Sequence, residues 1–422
     1  MATPPSMKTY HVFKFGGASV RNAAAIRNVA SLVLPQCNQP LVVIVSAMGK
    51  TTNALERVVS NYLSGKDFKP ELEAIRTYHD TVLSDLFTNS HPVRKEIEGD
   101  FRTLVENLAA RSADELYDQV VSFGEIFATR IVAAFLEAQG VPARWVDARE
   151  YVCTDETFRE GKIDWDKTEA RIRTLIPDLD NHVLVTQGFI GRTQHGLTTT
   201  LGREGSDYTA AIFGACLTAS NVTIWKDVPG VMNADPKRIP EAKAFDELPF
   251  REAAEMTYYG ASVIHPKTIK PLANRGIPLL VKNFDNPSLA GTRIHESTVK
   301  HLPPLIVFKE NQCLISCGVT DYTFIDEQQL GLIFQALSRQ NIKVNVMQNS
   351  AISFSFCVDY REDKVLDLIE ELSGHFTVYY NTGLTLITVK NYDETTHQHY
   401  RTRPGVILEQ SSRSTLQVLI KA

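Results

Sequence analysis

Short runs of β-branched and apolar residues alternate with helical stretches over roughly the first 300 positions. Residues 11–15, His-Val-Phe-Lys-Phe, read as a strand that Gly16-Gly17 breaks. From 19 to 34, apolar residues recur at helical spacing at Val20, Ala24, Ala30 and Leu34. Pro40 leads into residues 41–45, Leu-Val-Val-Ile-Val. A continuous β-branched run of this kind is what a strand covered on both faces looks like. Polar, amphipathic helical sequence follows from 52 to about 139, ended by Gly140 and Pro142. Further apolar runs stand at 143–146, 183–186, 222–225 and 278–281, most of them separated by helical stretches. This alternation predicts an α/β fold with a mostly parallel sheet sandwiched by helices. The turn formers at 286–292 are expected to close a first domain, residues 1–300.

The remainder, residues 301–422, has a different rhythm. Short strands are expected at 305–308, 313–319, 343–347, 352–358, 376–380, 385–389, 405–408 and 416–420, with helices at 327–339 and 364–373. From 313 to about 380 the order is β-α-β-β-α-β, an α+β ferredoxin-like unit. A second, shorter unit follows. Its stretch from 390 to 405 lacks apolar periodicity, so the helix of a full second copy is expected to be missing.

A chain of 422 residues accommodates two or three domains. The charge balance, 44 Lys+Arg against 49 Asp+Glu for a net −5, argues against a nucleic-acid binder. The longest strongly apolar run, residues 41–48, is far too short to cross a bilayer. The first ten residues hold no signal-peptide core, and a cytoplasmic protein is expected. The six cysteines include no CxxC pair and are expected to be buried thiols. Cys313 and Cys317 lie four apart, but no nearby histidine cluster completes a metal site.

Four clusters carry chemistry. In Lys14-Phe-Gly-Gly-Ala-Ser19 a lysine ends a strand, two glycines turn the chain and a helix begins, which together make a phosphate cradle. A plain strand–turn–helix corner with a solvated lysine would read the same way. Gly49-Lys50-Thr51 imitates the end of a Walker A loop, but that pattern needs glycine at 44, where Ile44 stands. No GxGxxG occurs either. Gly202-Arg-Glu-Gly-Ser-Asp-Tyr-Thr-Ala210 opens another helix. Asp207 is either only its cap or an orienter of a lysine and a Mg²⁺-bound phosphate. Arg203 could clamp a carboxylate. Ser122-Phe-Gly-Glu125 puts a carboxylate in a helix's first turn, favoured by the dipole alone or there to receive a substrate ammonium group. Trp225-Lys-Asp-Val-Pro-Gly-Val-Met-Asn-Ala-Asp-Pro-Lys237 is a polar loop in which Asp227 could hold adenine and ribose and Lys237 a phosphate.

Taken in order along the chain, these segments resemble the aspartokinases of the amino acid kinase family. Residues 14–20 match KFGGTSV with Ala18 for Thr, 122–125 match SFGE, and 202–210 match GRGGSDYTA with Glu204 for a Gly. Residues 226–230 with Asp235-Pro236 match TDVPG…DP, and 259–266 match the segment written FGAKVLHP. The likeness is strong over about residues 8–300. It implies an ATP- and Mg²⁺-dependent kinase that phosphorylates the aspartate side chain to 4-phospho-L-aspartate, the first step of lysine, threonine and methionine biosynthesis. In that reading Lys14 and Asp207 serve phosphoryl transfer, with Gly16 and Gly17 at the phosphates. Thr52, Glu125 and Arg203 contact aspartate. Lys226, Asp227, Met232, Lys237 and Ser262 take nucleotide positions. Lys226, Met232, Lys237 and Ser262 depart from the usual Thr, Tyr, Arg and Lys there.

The C-terminal part resembles the ACT-type regulatory region of the same family. Gln348 and Asn349 are expected in an effector pocket for lysine or threonine. A homodimer or higher homo-oligomer is expected by analogy, and no fused homoserine dehydrogenase is expected in a chain ending at Ala422. Another kinase of the family, acting on glutamate, acetylglutamate, carbamate or UMP, would share the sheet and the lysine. A non-catalytic amino-acid sensor would share the fold.

Overall fold

The structure is a computed structural model. It describes residues 9–108, 112–261, 264–298, 302–320 and 324–421. The chain divides into two compact units: residues 1–231, 244–254 and 262–299 form the first, and 232–243, 255–261 and 300–422 the second.

The first unit is built on β1 (His11–Phe15), β2 (Leu41–Val45), β3 (Ala143–Trp145), β4 (Cys153–Thr154), β5 (Val183–Gln187), β6 (Ile190–Thr193), β7 (Thr198–Thr200), β8 (Asn221–Lys226), β9 (Glu247–Pro249), β10 (Leu279–Asn283) and β11 (Thr292–His295). Eight of them form one sheet in the order β3-β5-β2-β1-β8-β10-β11-β9. It is parallel from β3 to β10, with β11 running antiparallel to β10. Every residue of β2 is buried, as its uninterrupted Leu/Val/Ile run required, and so is every residue of β5, including Thr186 and Gln187. The turn formers at 286–292 do not end the unit; the chain turns there and adds β11. The small sheet β4-β6-β7 was not anticipated, because strands of two to four residues are too short to show a period.

The long helical stretch resolves into five helices: Thr51–Leu63, Lys69–Leu86, Val93–Glu106, Ala113–Val121 and Phe123–Ala138. The last is apolar nearly all round and buries Phe123, Ile126, Phe127, Ile131, Val132, Phe135 and Leu136 against the sheet. Burying one such side chain stabilises by roughly 1.5–3 kcal/mol. Among the described residues, one helical segment (Ala113–Ala138) is long and apolar enough to cross a membrane, and 89% of its apolar window is buried inside the fold. Phe15 stacks on Trp225 with 6.1 Å between ring centroids, tying β1 to β8.

The second unit is one antiparallel sheet in the order β13-β14-β12-β15-β17-β16. Its strands are β12 (Leu305–Gly318), β13 (Val344–Asn349), β14 (Ser353–Asp359), β15 (Thr377–Lys390), β16 (Val406–Ser411) and β17 (Thr415–Lys421). Four of the expected short strands are two strands of 14 residues, β12 and β15. The polar break at Lys309–Gln312 that suggested separate strands is a register shift, with Asn311 at φ 55°, through which the pairing continues. Helices Glu327–Arg339 and Glu362–Ser373 follow the β-α-β-β-α-β order, the first opened by a capping box between Asp326 and Gln329. One expectation fails. The segment between 390 and 405 holds a helix, Glu394–Arg401, capped by the Asp393 side chain. It buries only Tyr400, packed with Ile387, Val389, Leu416 and Val418, so it has no periodic apolar face to betray it. All six cysteines are free thiols; five are buried and Cys37 is half-buried.

Candidate active site

In open parallel sheets, ligands bind beyond the carboxyl ends of the strands where the strand order reverses. Here the chain proceeds from β1 outward to β2 on one side and returns to β8 on the other, so the reversal lies between β1 and β8. Lys14 sits on β1 and Lys226 ends β8. The loops leaving β1 and β2 are locked together. Ser46 N–H donates to Phe15 O at 3.1 Å and Gly49 N–H to Gly17 O at 3.0 Å. A Cβ on Gly17 would stand 2.7 Å from Ala47 O, so only glycine lets these loops approach. On the β5 side, a Cβ on Gly188 would stand 2.4 Å from the Ser206 Cβ, in the first turn of helix Gly205–Leu217.

That helix presents Asp207 to the crevice. Its carboxylate takes the Lys14 ammonium on Oδ1 at 2.6 Å and the Lys226 ammonium on Oδ2 at 3.3 Å. Lys14 is 7% exposed and Asp207 2%. Burial would push the Asp207 carboxyl up, but the two lysines outweigh it and hold the group below the ordinary carboxylate range. Glu204 stands just before the helix in the left-handed region, φ 53°. Its Oε2 is buried without a hydrogen-bond partner. Burial raises its carboxyl, opposed chiefly by Lys226 and then Lys14 and Arg203.

Glu125, 3% exposed, lies in the first turn of helix Phe123–Ala138. Oε1 accepts the Ala47 N–H at 3.2 Å, and Oε2 is buried with no hydrogen-bond partner. Burial pushes this carboxyl up to about 8, against the weaker pulls of Ala47 N–H and Lys14. Thr52 is in the first turn of helix Thr51–Leu63 and partly exposed; Arg203 is exposed. Sequence reasoning missed Asp118. Fully buried, it accepts Thr200 N–H at 2.9 Å, Thr200 Oγ1–H at 2.7 Å and Arg159 N–H at 2.9 Å, fixing the end of β7 that leads into Gly202-Arg203. An aspartate within an ordinary helical stretch gives no sequence signal for this.

The remaining expected positions spread more widely. Asp227 follows β8 directly in the first unit. Met232 and Lys237 belong to the second unit, where Lys237 N–H donates to the Asp235 side chain at 2.9 Å. Ser262 lies outside the described residues. Gln348 and Asn349 are exposed near the end of the edge strand β13.

Residues 10–283 match the family model of the amino acid kinase family. The lysine-sensitive aspartokinase 3 of Escherichia coli is 35% identical over 396 residues, covering 90% of this chain and 87% of that protein. The chain belongs to the aspartokinases. Aspartokinase 2, chloroplastic, of Arabidopsis thaliana is 34% identical over 86% of this chain and 70% of its own length. The structure of E. coli aspartokinase III in complex with aspartate and ADP superposes with a TM-score of 0.83 at 32% identity, covering 97% of this chain and 96% of that one. The same enzyme in complex with lysine and aspartate gives 0.81 at 30% identity, covering 98% and 96%. Aspartokinase folds therefore span both units of the chain.

Proposed function

We propose that this aspartokinase runs its reaction in the crevice between β1 and β8, with Lys14 and Asp207 at the reacting phosphoryl group. The chain is an aspartate kinase, transferring the γ-phosphoryl of ATP to the side-chain carboxylate of L-aspartate. The observation that carries the siting is the buried Lys14–Asp207 pair, 2.6 Å apart, at the point where strand order reverses. A carboxylate is already a nucleophile at pH 7, so no general base is needed. The obstacle is bringing two anions together, and Lys14 meets it by neutralising charge that develops in transfer.

Gly16 and Gly17 let the backbone close on the phosphates. Asp227 continues β8 toward the nucleoside; the nucleotide roles of Met232 and Lys237 rest on the family resemblance alone. Glu125 receives the substrate α-ammonium group on the oxygen that has no partner, Arg203 takes the α-carboxylate, and Thr52 adds a helix-terminal contact. No group of three or more His, Cys, Asp or Glu among the described residues is arranged to hold a metal. Mg²⁺ binds through substrate phosphates with one or two carboxylates, and Glu204, whose buried Oε2 has no hydrogen-bond partner, would hold it here. When bound, it supplies further neutralisation of phosphate charge. The assignment of residues 1–300 to catalysis and 301–422 to regulation belongs to the same proposal, as do Gln348 and Asn349 at an amino-acid effector, a homo-oligomer and a cytoplasmic site of action.

The test is a hydroxamate assay with ATP and either aspartate or glutamate. Acyl phosphate is expected from aspartate alone; equal turnover of glutamate would overturn the assignment of aspartate as the substrate. Titration of that activity with lysine, threonine and both together reads the effector.

A further inference from the structure

We infer that Lys226 is a second catalytic lysine, meeting the transferring phosphoryl group from the side opposite Lys14 while Asp207 fixes both ammonium groups. This rests on the kinase reading above and deepens it.

The strand register makes the case. β1 and β8 are parallel neighbours in which Lys14 pairs with Ile224. Side chains two apart on a strand share a face, so Lys226 lies on the face of Lys14, roughly 6.5 Å further toward the strand ends. Its backbone is held from the other side: Phe284 N–H donates to Lys226 O at 3.0 Å, and Asn283 pairs with it in the sheet. Only the side chain has freedom, and Asp207 takes it up. One carboxylate bridges the two ammonium groups, at 2.6 Å and 3.3 Å.

Two ammonium groups on the two oxygens of one carboxylate repel each other across it. A phosphoryl group in flight, with negative charge spread over its equatorial oxygens, turns the repulsion into a clamp. Glu204 is a second carboxylate within the field of Lys226. Its buried Oε2 has no hydrogen-bond partner, and Lys226 is the foremost opposing charge on it. The Lys226 side chain is 21% exposed against 9% for Lys14, so it is the more accessible of the two ammonium groups.

The experiment compares Lys226→Met and Lys14→Ala with the parent enzyme, measuring kcat and, by calorimetry, the affinities for ADP and for a non-hydrolysable ATP analogue. Lys226→Met is expected to lose about 10²–10³-fold in kcat, as for removal of one preorganised donor. It is also expected to weaken the ATP analogue at least tenfold while leaving ADP within about threefold. A kcat within threefold of the parent, or an equal loss for ADP and the analogue, overturns the inference. If Lys14→Ala is inactive while Lys226→Met turns over normally, only this inference falls. If Lys14→Ala turns over normally, the siting of the reaction itself falls. Lys226→Gln, closer in shape to lysine and still polar, reads the same way should the Met variant not fold.

Discussion

Glu125 gives the sharpest link between burial and catalysis. Its carboxyl is pushed up to about 8 because it is sealed among Ala47, Gly124 and the packed face of its helix, with one oxygen unpartnered. Holding a substrate ammonium requires the ionised form. At pH 7, one unit below that value, about a tenth of the empty enzyme carries the charge, so aspartate binds roughly tenfold more weakly than at pH 9, or about 1.4 kcal/mol. Binding pulls the proton off, releasing close to one proton per aspartate at pH 7. The sign follows from linkage: the ligand-bound state holds fewer protons, so affinity falls as pH falls through 8. The assay is the aspartate Michaelis constant from pH 6 to 8.5, with calorimetry in buffers of different ionisation enthalpy to count the proton. A slope near one log unit per pH unit below 8 is expected, absent in Glu125→Gln, with the ATP Michaelis constant nearly flat. An aspartate affinity constant from pH 6 to 8, or one that improves on acidification, would refute the reasoning. The raised value has a stability counterpart. The folded chain holds a proton that the unfolded chain gives up between about 4.5 and 8, so stability is lost as pH rises through that window. Glu125→Gln should therefore melt higher than the parent at pH 8 while being impaired as an enzyme.

Three further expectations follow from packing. His79 is 0% exposed, with Nδ1 on Ile75 O and Nε2 unpartnered between Phe101 and Phe127, and burial lowers it to about 4. Here the unfolded chain takes up a proton below 6.5 that the fold refuses, so stability falls between pH 6.5 and 4 by about 3 kcal/mol, measured as a Tm series; a parallel series from His79→Phe would contradict it. Asp118→Ala strips the acceptor from the Thr200 and Arg159 amides and should cost about 1–3 kcal/mol in denaturant unfolding, with a raised aspartate Michaelis constant; unchanged values for both would count against its positioning role. Gly188→Ala drives a methyl into Ser206 and shifts the first turn that carries Asp207, so kcat should drop more than Tm; an unaltered kcat would show the turn can yield.

Much of the fold was legible because its signals are long. The apolar runs at β1, β2, β5 and β8 mark strands largely covered by the fold, and their alternation with helices leaves few alternatives. Helix Glu327–Arg339 announced both ends. What was hidden had physical reasons. A strand that continues through a bulge looks broken wherever its exposed residues are polar, as at Lys309–Gln312. A helix that buries one side chain, as Glu394–Arg401 does through Tyr400, has no period to read. Of the site, Lys14, Asp207, Glu125 and the paired glycines stood in motifs. The bridging of Asp207 between two lysines depends on strand register, and the grip of Asp118 depends on a contact spanning 82 positions, neither of which a local pattern carries.

The most direct measurement is single-turnover phosphoryl transfer from ATP to aspartate by Lys14→Ala, with its folding checked by thermal melting. A fall of about 10²–10³-fold or more in a variant that still folds is the expected result. Turnover near that of the parent would mean that the buried ammonium group at the end of β1 is not where the reaction takes place.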